Sequence, residues 1–131
     1  DSYKPNQQWL DYAKRISSPK DNKIILFQLA LTQWHNLFKN NIQSSPGGNG
    51  QWPILKRTKC HCGIWIQRAK QEQLFEQGSL NELDKEHTSM HDIAENLFDK
   101  YQKGEIETAR KELTKLQTAI DNINKALGLC K

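Results

Sequence analysis

The feature that most constrains the fold is the spacing of apolar residues near the end of the chain. Ile106, Ala109, Leu113, Leu116, Ile120, Ile123 and Leu127 follow one another at alternating steps of three and four. That rhythm stacks side chains on one face of an α-helix, whereas a half-buried strand needs strict alternation. No segment sustains such alternation. The helical rhythm recurs upstream in Leu83, Met90, Ala94, Leu97 and Tyr101, with Glu86 or His87 beside them, and again in Ile24, Phe27, Leu31, Phe38 and Ile42, with Trp34 or His35. A helix cannot bury its own stripe, so these segments must pack on one another.

The pattern predicts an all-α chain, an antiparallel four-helix bundle with a short extra N-terminal helix. Residues 1–20 read as an extension holding that short helix, over Gln7 to Ile16, which Ser17-Ser18-Pro19 breaks. Residues 21–131 read as the bundle domain. Its first long helix starts near Asp21 as N-cap. The run from Ser44 to Gly50 is a loop, and Trp52-Pro53-Ile54-Leu55 tucks back onto the core because Pro53 disfavours helix before it. The next helix is expected from about Cys60 to Gln77, closed by Gly78 in a left-handed conformation. Ser79-Leu80-Asn81-Glu82 has capping-box spacing and is expected to open the following helix, which Gly104 ends. The last helix then runs through Ile106 to Leu127. The four tryptophans are expected in the bundle interior, and Cys130 on an exposed tail.

With 131 residues there is room for one core of ordinary size. No apolar run approaches the roughly 18 residues of a membrane span. The net charge of +4 is spread among acids, as in Lys111-Glu112 and Asp99-Lys100, so the basic face of a nucleic-acid binder is missing. The chain begins at Asp1 without an initiator methionine and reads as a piece of something longer. Three cysteines, two of them in Cys60-His61-Cys62, do not make a secreted disulfide framework; thiols among histidines point to metal or redox chemistry in a reducing, cytoplasmic setting.

Two clusters carry chemistry. His87 and His91, spaced i and i+4, stand one above the other on a helix beside the apolar stripe, where two imidazoles can hold one metal ion. Cys60 sits at the start of a helix, where free N–H groups and the dipole favour a thiolate. One sulfur with two imidazoles suits Zn2+. On a helical wheel, His61 and Cys62 point about 100° and about 200° away from Cys60. Cys62 therefore reads as a small buried residue. A closed tetrahedral site needs a fourth ligand, and His35, near the stripe of the first long helix, is the candidate.

The run Cys60-x-Cys62-Gly63-x-Trp65 followed by His87-x-x-x-His91 resembles the chemoreceptor zinc-binding (CZB) domain family, which shows a Cys-x-(Leu/Phe)-Gly-x-(Trp/Tyr) element, a similar gap, and a His-x-x-x-His pair. The resemblance covers roughly Lys23 to Leu127. It implies a four-helix domain holding one zinc through three histidines and one cysteine, here Cys60, His87 and His91 by position. It also implies a non-enzymatic regulatory role in cytoplasmic bacterial signalling proteins such as chemoreceptors and diguanylate cyclases, sensing zinc or oxidants. The implied partners are an attached output domain and a second copy of the chain, with no nucleic acid and no membrane contact. Two departures stand out. Placing Trp34 on the family's His-x-x-Trp tryptophan puts Leu31 at the histidine position, so either His35 takes that role one turn later or three protein ligands leave an open position. Cys62 stands where the family has Leu or Phe, a second thiol placed to resolve an oxidised Cys60. The alternative from another class is a metal-free helical dimerisation or interaction module.

Overall fold

Proline opens the first long helix. In the computed structural model, which describes residues 19–44 and 51–130, α1 spans Pro19–Gln43. Proline is well suited to the first helical position, because its missing N–H has no intrahelical partner there anyway. Asp21 therefore lies in the first turn and is not the N-cap. The expected helix over Gln7 to Ile16, with Trp9, lies outside the described residues. Four more helices follow: α2 (His61–Gln71), α3 (Gln77–Gln102), α4 (Ile106–Lys111) and α5 (Leu113–Gly128). The described residues include no strand and are all-α.

The boundary between α2 and α3 differs from expectation. α2 stops at Gln71, because Gln73 adopts a left-handed φ of 52° and closes the helix itself. The Leu74 N–H donates to the Ala69 carbonyl (3.1 Å) and the Gln73 N–H to Lys70 (3.3 Å), the paired bonds of a Schellman cap. Gly78 consequently falls in the first turn of α3, and the Ser79–Glu82 capping box does not form; the Ser79 hydroxyl donates to the Leu129 carbonyl at 3.3 Å instead. The end of α3 follows expectation. Gly104, at φ 89°, gives the same paired closure, with the Glu105 N–H on Lys100 and the Gly104 N–H on Tyr101.

The last apolar stripe forms as two segments. Glu112 interrupts it with φ −83° and ψ 1°, and the Lys115 N–H bonds back to its carbonyl at 2.9 Å in a tighter turn. The Glu112 carboxylate meets the Lys100 ammonium at 2.8 and 2.9 Å, which ties the break to α3. Lys100 beside it holds the Glu112 carboxyl below the usual carboxylate range. Ala109, Leu116, Ile120, Ile123 and Leu127 are buried as the spacing requires. Cys130 is buried as well, not exposed: the Cys130 N–H bonds back to Leu127 and folds the chain end onto the bundle.

α3 packs most extensively on α5 and also touches α2 and α4, while α1 packs on α2, α4 and α5. The segment after the loop joins α1 to α3. The Trp34 indole N–H donates to the Ile54 carbonyl (2.8 Å) and the Asn41 amide to Gln51 (3.0 Å). Trp52 lies edge-on to Phe38 of α1 and to Phe98 and Tyr101 of α3, with centroids 4.8–5.5 Å apart. Trp65 ties α2 to the start of α1 through its N–H on the Lys23 carbonyl (2.9 Å) and its edge contact with Phe27. These three tryptophans are packing residues, as expected.

Candidate metal centre

His87 and His91 rise from the middle of α3, each about 1% exposed. Their spacing puts the rings at 4.5 Å between centroids, and Nε2 of one stands 3.1 Å from Nε2 of the other. Nδ1 of His91 lies 2.7 Å from the Leu55 carbonyl. A carbonyl can only accept, so Nδ1 carries the proton and Nε2 presents a lone pair. A carbonyl fixing the far nitrogen is the arrangement expected behind a metal-ligating imidazole. Trp34 closes one side of the pair, its ring 5.2 Å from that of His91.

Cys60 arrives from the turn before α2. It is the N-cap, with φ −69° and ψ 147°, and it is 3% exposed. Gly63 makes this approach possible. A Cβ at that position would collide with the Arg57 carbonyl and come within 3.3 Å of the His87 ring. Only a bare Cα lets the 57–60 turn close over α2 beside His87.

The sulfur of Cys60 and the ring nitrogens of His87 and His91 all lie within 4.8 Å of one another. Tetrahedral zinc with bonds of about 2.0–2.1 Å to nitrogen and about 2.3 Å to sulfur separates its donors by roughly 3.3–3.6 Å. The group is therefore already close to the size of a zinc cage. The Cys60 thiol is pulled far below the usual thiol range, first by the Cys62 thiol beside its sulfur, against burial, and then by His87 and His91. A buried thiolate aimed at two imidazoles is the donor set that zinc selects. The residues present fit the ion.

Cys62 is buried, as expected, but the helical-wheel separation from Cys60 does not hold, because Cys60 is in extended backbone outside the helix. The two thiols meet. The Cys62 thiol donates to the Phe27 carbonyl at 3.9 Å, and the Cys60 sulfur beside it, together with burial, pushes it well above the normal thiol range, so it keeps its proton.

His35 does not join Cys60, His87 and His91. It is 7% exposed, and Nε2 has no hydrogen-bond partner. Burial and then Lys39 lower it to about 4, while Asp121 of α5 pulls the other way. Leu31, at the position where the resemblance calls for histidine, is buried in the core.

Two parts of the centre carried no sequence signal. The Leu55 carbonyl is backbone, and its role appears only once residues 51–55 are laid against α3. The contact between the thiols depends on recognising Cys60 as an N-cap instead of a helical residue. In comparisons with known proteins, the chain matches no family model, no curated protein and no solved structure.

Proposed function

We propose that this chain is a regulatory zinc-binding module of the CZB type, a cytoplasmic antiparallel four-helix bundle with a non-catalytic role in a bacterial signalling protein. The observation that carries the reading is the convergence of Cys60, from the turn before α2, with His87 and His91 of α3 onto one small volume. Zinc held there would bind the turn before α2 to the middle of α3, residues distant in sequence, and so couple ligand chemistry to helix packing. Loss of the ion, or oxidation of the Cys60 sulfur, would release the start of α2. An attached output domain would read the change, with pairing of two copies as the route. No helix among the described residues is long and apolar enough to cross a membrane.

Metal content per chain tests this directly. Purified protein should hold one zinc per chain, and Cys60→Ala or His87→Ala should hold none. Protein that folds fully and never takes up zinc would refute the proposal. A second reading, a metal-free interaction module, draws on the hydrogen bond the two imidazoles already make, 3.1 Å between their Nε2 atoms. It predicts that His87→Ala changes neither metal content nor helix packing.

A further inference from the structure

Charge is not mixed evenly along this chain. The interleaving in Asp99-Lys100 and Lys111-Glu112 belongs to the part from Glu72 onward. Residues 22–71 hold Lys23, Lys39, Lys56, Arg57, Lys59, Arg68 and Lys70 and no aspartate or glutamate. A groove of about 420 Å³ runs between the two helices of that stretch. Leu26, Phe27 and Ala30 line it from α1, and Ile64, Trp65 and Ala69 from α2. Their spacing of three and four makes one continuous apolar strip on each helix. Ile64 is 38% exposed. The polar lining is mostly basic, with Lys23 on α1 and His61 and Arg68 on α2. Glu72, just past the end of α2, is the one carboxylate of the described lining, and Lys23 lies 4.0 Å from it. Lys70 pairs with Asp84 at 2.7 Å. Arg68 makes no ion pair with a described residue, and neither do Lys56, Arg57 and Lys59 in the turn that leads into α2.

We propose that this groove docks an acidic amphipathic helix of a partner protein, its apolar side on the strip between α1 and α2 and its carboxylates toward Lys23 and Arg68. Charge selects a negative partner, because a basic stretch without carboxylates of its own steers acidic groups in and repels cationic ones. The floor selects a side chain over a phosphate. Leucines would be buried there, whereas a phosphate would lose its water over Leu26, Phe27 and Ile64. Shape selects a helix, since the furrow between two helices takes a third read at i, i+3, i+4 and i+7. α2 has 11 residues and is about 16 Å long, which seats about three turns. The chain itself offers no such helix. α3 carries acids, but Leu83, Met90, Ala94 and Leu97 of its apolar stripe are buried in the core. Residues 1–18 carry Asp1 and Asp11 against Lys4, Lys14 and Arg15, so charge does not favour them. The inference does not rest on the zinc reading.

The probe is a labelled synthetic peptide of about four helical turns, with leucine at i, i+3, i+4 and i+7 and glutamate on the other faces. It is titrated against the full chain and read by fluorescence anisotropy, with amide shifts followed by NMR. The expected result is saturable binding that shifts Ile64, Trp65 and Arg68 and leaves Ile120 of α5 in place. Lysine in place of every glutamate, or glutamine in place of every leucine, should weaken binding about tenfold or more. Arg68→Glu and Ile64→Asn change exposed positions, so each should keep the wild-type helix content and weaken binding about tenfold. The peptide exchanges need no variant and decide the case even where a substitution disturbs α2. No binding of the glutamate peptide, equal binding of the lysine peptide, or wild-type affinity in both folded variants overturns the inference. Tighter capture of a DNA duplex or of phosphatidylserine vesicles, lost in Arg68→Glu, overturns it in favour of a phosphate surface. Pairing of the chain in sedimentation that Ile64→Asn abolishes overturns it in favour of a second copy. Metal content is measured separately, so none of these outcomes decides the zinc reading.

Discussion

The two polar regions of this bundle are held in different ways. Where α1 ends, its last carbonyls are covered entirely by the chain. The Arg110 guanidinium donates to Ile42, Gln43 and Ser44, and the Tyr101 hydroxyl donates to Ser44 at 2.7 Å. α1 has no basic residue in its own last turn, so Arg110 of α4 supplies the positive charge that a helix C-terminus favours. Around Cys60, by contrast, a thiolate and two imidazoles face one another inside the core, with donor atoms whose natural common partner is a cation. One region is complete as the chain stands, and the other could hold a metal ion. A signal that acts on the metal should therefore loosen one region and leave the other in place.

The largest expected effect separates the two regions. With free zinc about a thousandfold above its Kd, binding stabilises the fold by about 4 kcal/mol, and chelation removes that amount. Hydrogen exchange should then speed up at Cys62 to Ile66 while the amides around Tyr101 and Ala109 keep their protection. Uniform acceleration would erase the distinction.

Gly63→Ala sharpens it. The new methyl group meets the Arg57 carbonyl and crowds His87, so the 57–60 turn must shift, at about 3 kcal/mol. Calorimetry should show that loss together with weakened zinc affinity, because the same movement displaces Cys60.

The third prediction concerns His35, which contributes to stability without touching the metal. Its folded-state value of about 4 lies below the ordinary 6.5. The unfolded chain therefore takes up the proton first. Stability from this group is complete above pH 6.5, falls as pH drops toward 4, and changes no further below that. The full loss is about 3 kcal/mol. Chelated wild-type protein should show this slope, His35→Gln should lack that part of it, and the variant should keep its zinc. The smallest effect is at the completed end. Tyr101→Phe removes one hydrogen bond to Ser44 and should cost about 1 kcal/mol, equally with and without zinc.

Much of this was legible in the residues themselves. Apolar spacing located α1, α3 and the stripe shared by α4 and α5, because each stripe has to be buried and only one face of a helix can do it; the break at Glu112 left no mark in that spacing. Pro53 and Trp52 announced the segment that wedges between α1 and α3. Cys60, His87 and His91 could be named in advance because i, i+4 spacing and a helix start determine direction locally. The stop of α2 was not legible, since Gln73 took the left-handed position that Gly78 seemed to offer. His35 shows the limit most clearly. One step of about 100° from Trp34 turns it from the side of His91 toward Asp121, and helix rotation of that size is decided by packing against α5, not by local pattern.

X-ray absorption at the zinc edge of the purified protein tests the central claim most directly. The account predicts one zinc per chain with a sulfur shell at about 2.3 Å and imidazole nitrogens at about 2.0 Å, and no bound zinc in Cys60→Ala or His87→Ala. A zinc site that lacks sulfur, or folded protein that carries no zinc, would contradict it.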